Sequence, residues 1–127
     1  MGINNTAMKN WMDRELKSFG YAFRGIGLFF KSETHAKIHL IAAILVIGMG
    51  FYFGLQAWEW SLIIFAIGLV LVAEIFNTAV EKLTDKIWAE QNPQAAFIKD
   101  IAAGGVLIAA IAAAIIGIIV FVPYIFR

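Results

Sequence analysis

The sequence predicts an all-α membrane protein, with three transmembrane helices preceded by an amphipathic surface helix. Three observations carry that expectation. Residues Ile38 to Trp58 include only His39 and Gln56 as polar side chains that would resist burial, and Ile101 to Phe126 contains no charged residue. Between them, Trp60 to Ala73 is uncharged and runs directly into a segment containing Glu74 and Glu81. A bilayer core takes about 20 helical residues at roughly 1.5 Å rise each. The first and third stretches meet that length alone; the second meets it only with Glu74 and Glu81 at or within the membrane boundary. Composition agrees. Apolar residues make up 61% of the 127-residue chain and mean hydropathy is +0.81, whereas soluble domains are about half apolar. The expected organisation is one membrane domain over 1–127. Its surface helix covers about 7–31 and its transmembrane helices about 35–55, 58–88 and 97–124. With no cysteine in the chain, disulfides, thiolate catalysis and cysteine metal sites are excluded. Nucleic acid is not among the expected partners.

The first 37 residues have neither an apolar core near the start nor a small-residue cleavage site, which argues against a cleavable signal peptide. Within them Met12, Leu16, Phe19, Phe23, Ile26 and Phe30 recur at alternating steps of four and three, marking one helix face. Arg14, Lys17, Tyr21, Arg24 and Lys31 fall away from that stripe. A helix that is aromatic on one side and basic on the other suits an anionic membrane surface.

Short breakers separate the spans. Gly54-Leu55-Gln56 ends the first, with Trp58 and Trp60 as interfacial anchors, and Gln91-Asn92-Pro93-Gln94 ends the second. Lys9, Arg14, Lys17, Arg24, Lys31 and Lys37 precede the first span, and Lys82, Lys86 and Lys99 surround the second loop. The loop around Leu55 has no basic residue, and Arg127 stands alone at the far end. The positive-inside rule then puts the N-terminus and second loop in the cytoplasm and the C-terminus outside. In the third span Ala109, Ala113 and Gly117 recur every four residues, and Gly50 and Gly54 do so in the first. Both read as close helix packing within lipid.

Chemistry concentrates on the second span. At about 100° per residue, Glu74, Asn77, Glu81 and Asp85 fall within an arc of roughly 80° and form a ridge about 16 Å long. Lys82 and Lys86 point elsewhere, so pairing within the ridge is not available. Carboxylates at such depth either pair with basic residues on other helices or serve a function, and four polar groups on one face favour function. Oxygen ligands of this kind hold magnesium, which commonly arrives with phosphates. A second carboxylate can accept the proton of a hydroxyl nucleophile. Phosphoryl transfer from ATP needs both services and positive charge on the phosphates, which Arg14, Arg24 and Lys99 could supply from the cytoplasmic side. A lipid hydroxyl lies in the membrane at the height of the ridge. Two other features carry less. Gly25 to Ser32 has the outline of a phosphate-binding loop, but Phe30 stands where the second glycine is required and no strand precedes it. His35 and His39, at i and i+4, lack a third ligand of matching type and read as polar anchoring at the membrane entry.

The run from Glu74 through Asn77, Thr78, Ala79 and Glu81 to Asp85 resembles the signature of the prokaryotic diacylglycerol kinase family, which includes undecaprenol kinases. Arg14, Gly20-Tyr21, Gly25, Glu33 and Lys99-Asp100-Ile101-Ala102-Ala103-Gly104 match in order, so the resemblance covers nearly the whole chain from Arg14. It implies a homotrimer in a bacterial cytoplasmic membrane, with active sites between subunits that move the γ-phosphate of MgATP to a lipid hydroxyl. By position, Glu74 matches the general base, Asn77 a polar residue beside the transfer site, and Glu33 and Glu81 the magnesium ligands. Arg14, Tyr21, Lys99 and Asp100 match nucleotide contacts. Asn92 stands where many members carry a nucleotide-contacting histidine, and Ala103 where some carry a serine. His39 replaces an acidic residue of the Gram-negative diacylglycerol kinases, and Ile38-His39 looks more like the Gram-positive undecaprenol kinases. Undecaprenol is the expected acceptor, diacylglycerol the alternative. A proton-coupled transporter subunit is the rival from another class, because intramembrane carboxylates also relay protons. That reading needs a polar path across the bilayer, and the ridge stops near mid-helix.

Overall fold

The computed structural model describes residues 5–126, which form four helices: α1 (Asn5–Ser32), α2 (Thr34–Phe53), α3 (Ala57–Ile87) and α4 (Pro93–Ile125). Arg127 lies outside the described residues. The chain divides into two compact units, one up to Glu33 and one from Thr34 onward. The first is α1. Its stripe side chains Met12, Leu16, Phe19, Phe23 and Ile26 are exposed, and Ser18 Oγ donates to the Arg14 carbonyl at 3.0 Å.

The second unit holds α2, α3 and α4, each long and apolar enough to cross a membrane. Apolar side chains such as Ile44, Phe65, Ile108 and Ile118 lie exposed along them, as expected where lipid replaces water as the solvent. α3 packs along α4 far more extensively than along α2. The core lies at the end of the unit where α2 turns into α3 and α4 finishes. There Leu55, Ile63, Val120 and Phe121 are buried together.

Local chemistry explains the turns. Gly54 has φ +69°, a left-handed conformation open to glycine at little cost. The N–H groups of Gly54 and Leu55 both reach back to the Gly50 carbonyl, at 3.0 and 3.1 Å, closing α2 in the manner of a C-terminal glycine cap. Leu55 then drops into the core. Gly54 is therefore a helix terminator and not half of a packing pair. Gly50 does mark a close approach, but within the chain: a Cβ there would sit 2.7 Å from the end of the Trp60 ring. Trp60 also stacks obliquely on Phe51, so its ring packs against α2. α4 starts at Pro93, four residues before the start expected near 97. Asn92 Oδ1 accepts from the N–H of Gln94 at 2.8 Å and of Ala95 at 3.4 Å, and Pro93 occupies the first helical position.

Glu59 is buried in this end of the unit. Its Oε2 accepts from the Gln56 N–H at 2.7 Å and from the Tyr124 hydroxyl at 2.6 Å, tying the first turn of α3 to the last turn of α4. Tyr124→Phe removes one donor from a buried carboxylate and keeps the ring. The expected cost is about 1–2 kcal/mol, read as a lower Tm in detergent with lipid phosphorylation by the surviving folded fraction unchanged.

Candidate functional site

The opposite end of the helical unit carries the polar ridge. Glu74, Asn77, Glu81 and Asp85 follow one another at steps of three and four along α3, and each has a different environment.

Glu74 is buried, at 8% exposure. Its Oε1 lies 2.7 Å from His39 Nε2 on α2. This contact corrects the reading of His39 as simple polar anchoring: the ring is a direct partner of the ridge. One helical turn on, Asn77 Nδ2 donates to Glu81 Oε1 at 3.0 Å. Among the described residues Asn77 Oδ1 is buried without a hydrogen-bond partner, leaving an acceptor beside Glu81 in a setting where orphaned acceptors are costly. The Thr84 hydroxyl is buried and turned back on α3, 2.9 Å from the carbonyls of Val80 and Glu81. Asp85 pairs with Lys99 of α4, so this carboxylate does find a basic residue on another helix. Both partners are substantially exposed, and the pair is worth little for stability.

The remaining sequence-derived candidates are dispersed. Asp100 follows Lys99 on α4 and is exposed. Arg14 and Tyr21 lie on α1, in the other compact unit, and both are exposed. Glu33 ends that unit, where its N–H donates to the Phe29 carbonyl at 3.2 Å and its Oε1 accepts from Ser32 Oγ at 3.4 Å. Asn92 caps α4 with its side-chain oxygen.

Two recesses flank the ridge. An apolar groove of about 340 Å³ runs between α2, α3 and α4. Val46, Ile63 and Gly117 line it at the core end, and Leu71 and Ala110 at the ridge end, where His39 is the one polar side chain among the described residues that line it. The small residues Ala113 and Gly117 thus leave space between helices at this face. A second, open recess of about 690 Å³ surrounds the α3–α4 turn, with Asp85, Asn92 and Lys99 among its walls. The arrangement therefore offers a buried carboxylate with one oxygen held, an amide–carboxylate pair with a spare oxygen ligand, and a lysine at the mouth of a polar recess.

The comparisons with known proteins bear on the family. The prokaryotic diacylglycerol kinase family matches residues 20–121. Undecaprenol kinase of Bacillus subtilis is 37% identical over 91% of this chain and 94% of its own length. A diacylglycerol kinase of Synechocystis is 35% identical over 85% of this chain and 62% of its own length. A diacylglycerol kinase of Escherichia coli is 29% identical over 80% and 84%. A proton-coupled transporter is thereby set aside. The chain belongs to the prokaryotic diacylglycerol kinase family and is a membrane lipid kinase, an ATP-using phosphotransferase with an alcohol group as acceptor.

Proposed function

We propose that the acceptor is undecaprenol and that Glu74 is the general base which takes the proton from its hydroxyl. The observation that carries the base assignment is the burial of Glu74 beside His39 at the ridge end of the apolar groove. A lipid alcohol lying in the membrane could present its hydroxyl there. The acceptor assignment is supported by the 37% identity with a protein named undecaprenol kinase, against 35% and 29% for the two diacylglycerol kinases compared above.

In the transfer, the lipid O–H bond breaks and its proton passes to Glu74 Oε2, the carboxylate oxygen not facing His39. The lipid oxygen bonds to the γ-phosphorus as the bond from that phosphorus to the β–γ bridging oxygen breaks, and ADP leaves. Asn77 stands beside the reacting groups. Lys99, Asp100, Arg14 and Tyr21 hold the nucleotide, with the recess at the α3–α4 turn near its phosphates. Glu33 and Glu81 would hold magnesium. Its fit rests on the donor set: Glu81 offers carboxylate oxygens, and Asn77 Oδ1 is a buried oxygen with no partner among the described residues, both suited to a hard cation. When bound, magnesium would neutralise phosphate charge as it develops in the transition state.

The proposed setting is a bacterial cytoplasmic membrane, with the N-terminus and α3–α4 turn on the cytoplasmic side and α1 lying on the surface. Basic residues before α2 and around that turn support this orientation. The assembly is a homotrimer with active sites between subunits. The test of the acceptor is a rate comparison at equal mole fraction in mixed micelles, using MgATP and purified protein. Undecaprenol is expected to be phosphorylated with at least roughly tenfold higher kcat/KM than diacylglycerol, a difference of about 1.4 kcal/mol in transition-state binding. Equal values, or a preference for diacylglycerol, would sink the undecaprenol assignment and leave the lipid-kinase class intact.

A further inference from the structure

The geometry points to His39 as a positioning residue for the phosphoryl transfer: its ring holds one oxygen of Glu74 so that the other meets the lipid hydroxyl. The inference rests on Glu74 being the base. His39 Nε2 lies 2.7 Å from Glu74 Oε1, across 35 residues of sequence and from a different helix. The two side chains are 27% and 10% exposed respectively, so little water competes for that oxygen.

A glutamate on a helix has three flexible torsions, and an unpartnered carboxylate at this depth would sample several of them. A ring N–H donated to Oε1 removes that freedom. Misplacement of a catalytic group by about 1 Å costs on the order of a hundredfold in rate, so one bond to a stiff partner has leverage. Stiffness comes from the setting of His39. It projects from the first turns of α2 and, beside Leu71 and Ala110, forms the polar end of an otherwise apolar groove. The ring therefore stands between that groove and Glu74. It contacts the base, and its position meets whatever occupies the groove.

As a base Glu74 is ionised and can only accept, so Nε2–H donates to Oε1, which leaves Oε2 as the oxygen that receives the proton. His39 gains and loses no proton in this scheme. Asn77, one turn further along α3, is committed through Nδ2 to Glu81. Among the described residues, His39 is the side chain bonded to the Glu74 carboxylate.

Three variants and one spectroscopic measurement test this on the full-length protein in micelles with MgATP and undecaprenol. His39→Leu keeps bulk and removes the donor. It is expected to lower kcat roughly 10- to 100-fold with KM for ATP within about twofold. His39→Gln retains an N–H at the reach of Nε2 and should recover most of the lost kcat. In a Glu74→Gln background, His39→Leu should cost nothing further, because groups that act as a unit are non-additive. Independently of activity, the 15N resonance of the His39 Nε2 should move on Glu74→Ala substitution, which removes the acceptor altogether.

A His39→Leu enzyme with wild-type kcat overturns the inference, as does a His39→Gln enzyme no faster than His39→Leu. Full additivity of the two substitutions also overturns it, and so does an unmoved Nε2 resonance. A wild-type protein that phosphorylates no lipid alcohol is a different failure. It removes the kinase reading itself, while the resonance still reports whether the pair exists.

Discussion

Glu74→Gln is expected to lower kcat for lipid phosphorylation by roughly 10²- to 10⁴-fold, the range that a general base supplies, while MgATP affinity changes little. The amide is nearly the same size as the carboxylate and can still accept from His39 through its carbonyl oxygen. The contact that orients the side chain therefore survives, and the substitution isolates basicity. A neutral amide cannot take up the proton that leaves the lipid hydroxyl. The measurement pairs initial rates with direct nucleotide binding, for example by equilibrium dialysis in detergent. A loss of ATP affinity as large as the loss of rate would move Glu74 to the nucleotide site. Activity within threefold of wild type would remove it from the chemistry. Since α3 is anchored at its other end by Leu55, Ile63, Val120 and Phe121, a change at Glu74 should leave Tm close to wild type.

The contrast with what sequence alone reveals is instructive at this residue. The three spans were legible because the bilayer imposes a length, and few soluble helices are apolar for that long. The ridge was legible because Glu74, Asn77, Glu81 and Asp85 lie on one helix, where spacing converts directly to angle. Partners on other helices had no such conversion. His39 belongs to another periodic element, and nothing in its i, i+4 relation to His35 indicates which side of α2 meets α3. One signal was available: a polar ring in an apolar helix at a depth similar to Glu74, when α2 and α3 are antiparallel neighbours joined by a short turn.

Glu59 and Tyr124 were missed for a related reason. A carboxylate in the first turn of a helix is ordinary by itself, and its burial depends on where α4 ends. Gly54 carries two readings in the sequence, a breaker at the end of the first span and half of a small-residue pair, because small residues four apart have two uses. Spacing suggests packing, whereas the Gly-Leu-Gln run after an aromatic helix end equally suits a glycine cap, and the positive φ belongs to the second use. Asn92 likewise acts as an N-cap, a use available from the Pro93 that follows it. Asp85 shows the reverse. Its pairing with Lys99 fits the bland expectation for a carboxylate on a membrane helix, and only the three residues before it on the ridge remain for chemistry.

Substitutions at the proposed magnesium ligands should fail in a way that Glu74→Gln does not. Glu81→Gln and Glu33→Gln each remove one negative charge from the cation's ligands and keep the side chain's length. At low free magnesium, the concentration of MgATP needed for half-maximal rate is expected to rise on the order of tenfold or more. Raising magnesium should return much of the rate, because mass action compensates a weakened site. No excess of magnesium restores a missing base, so Glu74→Gln should stay slow at every concentration. Glu81 has a second constraint, since its Oε1 accepts from Asn77 at 3.0 Å. Asn77→Ala should therefore give a milder version of the Glu81→Gln defect, losing both the donor that orients Glu81 and the free Oδ1 beside it. Magnesium titrations of rate for these variants, set against Glu74→Gln, separate the ligands from the base. Rates that stay low for both glutamate variants at saturating magnesium would reject the ligand assignment, and rescue of Glu74→Gln would show that the two services had been exchanged.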